Sequence, residues 1–225
     1  MTGTAPVICI DGPSGAGKGT LSQHLAAELG WHLLDSGALY RVVGFAGRLA
    51  SVSLEDSDAV AGIARSLDVD FRPTSDGVLV WLTGEDVTAH LRTEEGGRDA
   101  STVAALPAVR EALLLRQQEL ARPPGLIADG RDMGTVVFPQ APLKIFLTAS
   151  AEARAERRFH QLQGMGESVS LARLLSDIQQ RDARDQSRTV SPLVPAEDAI
   201  IIDSTALSTD EVLQAARDLA AARNL

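Results

Sequence analysis

The 225-residue sequence predicts an α/β protein in which a central parallel sheet is flanked by helices and a smaller inserted subdomain is built on an antiparallel hairpin. Three observations carry this. Short, continuous apolar runs recur along the chain with helical patterns between them, as strands covered on both faces of a parallel sheet do. A glycine-rich stretch follows the first run and opens a helix. Residues 67–82 instead alternate apolar and polar side chains, the signature of a half-exposed antiparallel strand pair.

The elements follow in order. Val7-Ile8-Cys9-Ile10 is a buried strand ending in Asp-Gly, and Leu21, Leu25 and Leu29 then mark one helix face that Gly30 closes. Further strands are expected at residues 31–34, 126–128, 143–147 and 199–202. Leu67, Val69 and Phe71 alternate with Asp68, Asp70 and Arg72, and Asp76-Gly77 turns the chain into Val78, Val80 and Leu82. Pro107 starts a helix with Val109, Leu113 and Leu120 as its buried stripe, and Pro123-Pro124-Gly125 stops it. The last helix opens on a capping box, Ser208 with Glu211, and runs to Arg223. The hairpin places an acceptor-binding insert at residues 37–103. The core takes residues 1–36, 104–153 and 189–225, and a lid with its flanking helices takes 154–188.

Composition excludes several classes. With 30 acidic against 21 basic side chains, a net charge of −9 argues against a nucleic-acid coat, which needs an extended basic face. One cysteine, Cys9, cannot form an internal disulfide, so a reducing, cytoplasmic setting is expected. The start of the chain lacks a basic n-region and a long apolar h-region, and no stretch approaches the ~20 apolar residues of a membrane span. No membrane partner is expected, and without a long exposed apolar stripe the chain should be a monomer. Among the 21 basic side chains only Lys18 and Lys144 are lysines. The rest are arginines, whose fork matches phosphate and carboxylate bidentately, although a G+C-rich genome produces the same excess.

Residues 12–20 read Gly-Pro-Ser-Gly-Ala-Gly-Lys-Gly-Thr, so Gly12, Gly17 and Lys18 satisfy G-x-x-x-x-G-K. Glycines let backbone amides converge on phosphate oxygens, the helix N-terminus adds its positive dipole end, and Lys18 spans the terminal phosphates. The whole loop, Gly12, Pro13, Ser14, Gly15, Ala16, Gly17, Lys18, Gly19 and Thr20, is assigned to ATP. Gly19 stands where a hydroxyl residue usually coordinates Mg²⁺, which leaves that task to Thr20, Asp129 and water. A regulatory GTPase would need Asn-Lys-x-Asp, which is absent, and a remodelling ATPase a longer chain. A small kinase with a second pocket remains.

Three further clusters supply that pocket. Asp35-Ser36-Gly37-Ala38-Leu39-Tyr40-Arg41 follows the second strand at the carboxyl edge, where Arg41 can fork onto a phosphate and Ser36 donate to one. Residues 126–132 run a strand into Asp129, Arg131 and Asp132; Asp129 suits a water-held Mg²⁺ and Arg131 a transferring phosphoryl group. Arg181, Asp185 and Arg188 share a helix face by i,i+4 and i,i+3 spacing, either as a solvated ladder or as charge supply for phosphoryl transfer. Arg154, Arg157 and Arg158 are either solvated or part of a lid with Gly164 and Gly166 as hinges, and Arg157 is assigned to ATP.

The motifs at 12–20, 35–41, Asp-Gly-Arg-Asp-Met-Gly-Thr-Val-Val-Phe-Pro at 129–139 and Arg-Asp-x-Arg-Asp at 181–185 resemble bacterial cytidylate kinases over nearly the whole chain. The resemblance implies a P-loop kinase core with an enlarged monophosphate domain and short lid, and reversible transfer of the γ-phosphoryl of ATP to CMP or dCMP with Mg²⁺. It implies that Ser36, Arg41, Arg131 and Arg188 serve the acceptor side, that Arg181 and Asp185 meet the sugar, and that Ser101, Arg110 and Asp132 read the base. Lys18, Arg131, Arg181 and Arg188 become the catalytic set. Cytosine offers an N4 donor to a carboxylate and N3 and O2 acceptors to Arg and Ser, whereas uracil reverses that pattern. The glycine pair Gly96-Gly97 makes the backbone before Ser101 harder to read. A kinase of another small acceptor, such as shikimate, and a non-catalytic ATP-binding regulator share the loop and stay open at this point.

Overall fold

The computed structural model describes residues 5–74, 77–164 and 166–225. In chain order the elements are strand β1 (Val7–Asp11), helix α1 (Lys18–Leu29), strand β2 (His32–Asp35), helices α2 (Ser36–Leu49) and α3 (Ser57–Arg65), strands β3 (Val69–Thr74), β4 (Gly77–Leu82) and β5 (Glu85–Asp86), and helices α4 (Thr88–Leu91), α5 (Glu94–Val103) and α6 (Pro107–Gln118). After them come strand β6 (Leu126–Gly130), a π-helical turn at Met133–Val137, strand β7 (Leu143–Thr148), helices α7 (Ala151–Gly164) and α8 (Leu171–Gln186), strand β8 (Ile200–Asp203) and helix α9 (Thr209–Ala221). The chain divides into two compact units, Met1–Leu34 with Leu120–Leu225, and Asp35–Glu119. No helix among the described residues is long and apolar enough to cross a membrane.

The first unit holds a parallel sheet in the order β2-β6-β1-β7-β8. Its strands are the expected apolar runs, and Ile8, Cys9, Ile10, Ile127 and Leu147 are completely buried, as strands covered on both faces must be. Leu21 and Leu25 of α1 and Val212 and Ala216 of α9 complete this core. The register sets Ile10 beside Asp129 and Asp11 beside Gly130, so the carboxyl ends of β1 and β6 lie side by side, where open α/β sheets bind ligands. The capping box at Ser208 and Glu211 is present, with α9 ending at Ala221 rather than Arg223. Helices α7 and α8 carry a small apolar cluster of their own around Ala155, Leu162 and Leu174.

The second unit has its own core, with Leu39, Val42 and Val43 of α2, Val60 of α3, Val80 and Leu82 of β4, Val103 of α5, and Val109 and Leu113 of α6. The expected hairpin is there: β3 pairs antiparallel with β4, Phe71 opposite Val80, and the two-residue β5 adds a third strand. The Arg72 guanidinium stacks 4.2 Å from the Trp81 ring centroid, a cation–π contact that covers the pair's outer face. Asp76 of the expected turn and Met165 of the glycine-containing stretch lie outside the described residues. Helix α6 begins on Pro107 as expected and buries Val109 and Leu113, whereas Leu120 lies beyond its end. This helix belongs to the compact unit of the hairpin, with α3 as its packing partner.

Candidate active site

The phosphate loop joins β1 to α1. Gly12 sits at φ +149°, and a Cβ there would lie 1.9 Å from the Leu147 carbonyl oxygen, so only glycine passes β7 this closely. The loop ends at Gly17, and no side chain caps α1, whose first amides are thereby presented to a ligand. Lys18 is buried and folds back over the loop, its Nζ donating to the Pro13 carbonyl at 2.9 Å and lying 4.0 Å from Asp129 Oδ1. Burial and then the Arg131 guanidinium push the Lys18 ammonium down to about 8, with Arg181 adding to the effect and Asp129 and Asp11 opposing it.

The loop is gripped from behind by α7 and α8. Arg154 donates to the Ser14 carbonyl at 3.1 Å and forks onto Asp182 of α8 at 3.1 and 2.6 Å, while Arg181 donates to Ser14 Oγ at 3.2 Å. Arg154 is only 4% exposed, which excludes for it the solvated alternative of the 154–158 run. Arg158 does pair locally, with Gln161. Arg157 donates to Ser204, at 3.2 Å to Oγ and 2.5 Å to the carbonyl, and Ser204 Oγ lies 3.2 Å from the Ala16 carbonyl. Ser204 and the anchoring role of Arg154 escaped the sequence because neither belongs to a local motif, and the 181–185 motif contains Asp182 without showing that it pairs with Arg154.

At the end of β6, Arg131 Nε donates to Asp185 Oδ2 at 3.1 Å, and Arg188 donates to the other oxygen of the same carboxylate. Asp185 is 1% exposed, so the spacing that also fitted a solvated ladder forms a buried cluster instead, although the three do not share one helix face, because α8 ends at Gln186 and Arg188 reaches Asp185 from beyond the helix. Burial alone would raise the Asp185 carboxyl, but Arg131, Arg188 and Arg181 outweigh it and hold it below the usual carboxylate range. Asp132 is also buried and immediately precedes the π-helical turn, at its N-cap position. Asp11, absent from the sequence-derived site, accepts from Met133 N and Gly134 N at 2.8 Å each. Burial pushes its carboxyl up to about 6 against the lowering effect of those two amides.

The second unit carries the remaining candidates. Ser36 is buried at the start of α2, whose N-cap Asp35 accepts from Ala38 N at 2.9 Å. Arg41 donates to the carbonyls of Leu91 at 2.5 Å and Thr93 at 3.1 Å, tying α2 to the α4–α5 junction. Arg110 is buried, donates to the Ala104 carbonyl at 3.1 Å, and stacks 5.5 Å from the Tyr40 ring centroid. Ser101 Oγ is buried with no hydrogen-bond partner. The glycine pair does not interrupt α5, and Gly96 is there for space, since its Cβ would lie 2.7 Å from the Leu91 carbonyl oxygen.

The family model described as cytidylate kinase matches residues 8–222. The chain belongs to the cytidylate kinase family. A cytidylate kinase from Aeromonas hydrophila subsp. hydrophila is 59% identical over 213 residues, 95% of this chain and 93% of that protein. A cytidylate kinase from Pseudomonas entomophila (strain L48) is 58% identical over 227 residues and aligns over the whole of both chains. Among solved structures, a gluconokinase from Sinorhizobium meliloti 1021 aligns with 98% of this chain and 94% of its own at 16% identity and a TM-score of 0.48. The cytidylate kinase match spans the phosphate loop, the hairpin unit and the α8 cluster alike.

As a member of the cytidylate kinase family the chain uses ATP as phosphoryl donor, and ATP ordinarily travels with Mg²⁺. Among the described residues no group of three or more His, Cys, Asp or Glu could cage a metal. A Cβ on Gly19 would lie 3.7 Å from Asp129 Oδ2, so the loop runs past this carboxylate without a side chain between, and the Thr20 hydroxyl is exposed one residue on. Two hard oxygen donors of this kind fit Mg²⁺, which keeps most of its waters and binds through one or two protein oxygens plus phosphate.

Proposed function

We propose that this chain transfers the γ-phosphoryl group of ATP to CMP or dCMP, giving ADP and CDP or dCDP, as a cytoplasmic monomer. The observation that carries the reading is that Arg181 donates to Ser14 Oγ at 3.2 Å, bringing a cation onto the phosphate loop that leads to the buried Lys18, in a chain of the cytidylate kinase family. Amides of residues 12–20 and Lys18 hold the ATP phosphates, Arg157 contacts ATP, and Lys18, Arg131, Arg181 and Arg188 neutralise charge on the transferring group. Mg²⁺, held through Asp129, Thr20 and water, supplies further charge neutralisation when bound. Ser36 and Arg41 meet the acceptor phosphate, and Arg181 and Asp185 the sugar. Asp185 also aligns Arg131 and Arg188, which its two oxygens hold.

Ser101, Arg110 and Asp132 read the base. The buried Ser101 Oγ without a protein partner supports this, because such an atom gains most from a ligand hydrogen bond. The acceptor phosphate is already an anion, so transfer proceeds in line without a protein general base or a covalent intermediate.

An ADP-release assay across CMP, dCMP, UMP, AMP and GMP tests the reading; turnover should concentrate on CMP and dCMP, and equal rates with AMP would overturn it. Asp132→Ala should lower the CMP-to-UMP ratio of kcat/KM by about 10- to 100-fold while changing KM for ATP little.

Lys18 adds a pH dependence. Bound phosphates raise its depressed pKa, so ATP binding takes up a proton above pH 8, and affinity should fall by up to about tenfold per pH unit there. Titration calorimetry between pH 7 and 9.5 measures this, and a flat profile would show that Lys18 already carries its proton before ATP binds.

A further inference from the structure

Asp11, which ends β1 immediately before the phosphate loop, has no task in the proposed mechanism. It closes an otherwise apolar strand, is 6% exposed, and spends both oxygens on two backbone amides of a distant segment. A buried carboxylate is costly, and two amide donors at 2.8 Å offset that cost. The amides belong to Met133 and Gly134, the first residues of the π-helical turn that Asp132 opens. First-turn amides have no partner within their own helix, and an anion is favoured there. An aspartate at an N-cap ordinarily bonds those amides itself, but Asp132 makes no capping bond to its own turn, at φ −143° and ψ 23°.

We infer that Asp11 is a positioning residue for acceptor recognition: by capping the Met133–Val137 turn from β1, it sets the backbone that aims the Asp132 carboxylate at the base. This rests on the reading of Asp132 as a base contact. Two further observations agree with it. A Cβ on Gly134 would lie 3.0 Å from Lys144 Cδ and 3.4 Å from Asp11 Oδ2, so the turn is packed against both side chains. Lys144, one of only two lysines, holds the far end of the segment by donating to the Pro139 carbonyl at 2.7 Å, itself fixed by Asp198 at 2.8 and 2.9 Å. The stretch after Asp132 is therefore clamped at both ends, and a rigid support is what a specificity contact requires.

The test compares kcat/KM for CMP and UMP in the wild type, Asp11→Asn, Asp132→Ala and the double variant. Both acceptors use the same ATP, so the ratio cancels any effect of Asp11 on the nearby Lys18. Asp11→Asn keeps the shape but turns a donor toward one amide, and the ratio should fall about tenfold, the loss of one well-aimed hydrogen bond. Amide exchange in residues 133–137 should accelerate in the same variant. If Asp11 works through Asp132, the double variant keeps the ratio of Asp132→Ala alone. An unchanged ratio in Asp11→Asn beside a collapsed ratio in Asp132→Ala overturns the inference and leaves base reading intact. Unchanged ratios in both overturn base reading and the inference together. Additive losses in the double variant also overturn it, since Asp11 would then act by another route. Where Asp11→Asn does not fold, Asp11→Ser, with a single short acceptor, carries the same comparison.

Discussion

Lys18→Ala is expected to lower kcat about a thousandfold, the loss typical of removing one preorganised donor from developing charge, while the chain stays folded. The two effects separate because of where Lys18 sits. Its stem and ammonium are buried, and burial already disfavours the charged form enough to push the pKa down to about 8. Taking the ammonium away removes that penalty together with one hydrogen bond to the Pro13 carbonyl, so Tm should be unchanged or raised. Asp129, 4.0 Å from Nζ, loses a weak partner only. Steady-state kinetics with CMP and a thermal melt of the same preparation make the measurement. A kcat near that of the wild type would refute the phosphate-loop assignment, and a large fall in Tm would show Lys18 to be structural.

Asp185→Ala should reduce kcat/KM for CMP by about 100- to 1,000-fold and also destabilise the fold. Both oxygens of this carboxylate hold guanidiniums, Arg131 and Arg188, and Arg181 contributes to the same field. Without it the cations repel one another in a poorly hydrated place, and breaking a buried pair from one side typically costs about 3–5 kcal/mol. The depressed pKa fixes the sign with pH. The carboxylate's contribution is complete above its unfolded-state pKa and is lost only as pH falls through the lower folded value, so the variant shows its full deficit at pH 7. Inorganic phosphate in the millimolar range should restore part of the lost Tm by standing in for the missing anion. An Asp185→Ala variant with wild-type Tm and kcat/KM would mean that the arginines need no alignment.

What could be read without the structure was whatever the chain states locally. The inner strands β1, β6 and β7 announce themselves as continuous apolar runs, because a strand covered on both faces has no polar side to show, and β8 shows the same kind of run although Ile201 at the sheet edge is exposed. The hairpin is equally plain, since its alternation follows from Val80 and Leu82 joining the core of the second unit while Asp68 and Asp70 face water. The phosphate loop is legible for a stricter reason: Gly12 tolerates no side chain beside Leu147, so the motif is a direct print of its geometry. Ambiguity began where one pattern serves two environments. Arg181, Asp185 and Arg188 have the spacing of a solvated ladder and of a buried cluster alike, and only the packing of α8 in the first unit decided for the cluster.

The sequence by itself therefore determined the fold class, the phosphate loop and the family, through the motifs at 12–20, 35–41, 129–139 and 181–185. Tertiary structure alone decided how those motifs are held. Arg154 reaches Ser14 across 140 positions, Asp11 reaches Met133 across 122, and Arg131 reaches Asp185 across 54. The cause is physical rather than a weakness of the motifs. A catalytic loop fixes its residue types by the ligand it must meet, and that requirement is local. A supporting contact needs only some donor and some acceptor brought together by the sheet, so a lone Asp ending a strand or an Arg opening a helix carries no sign of its partner until the chain has folded.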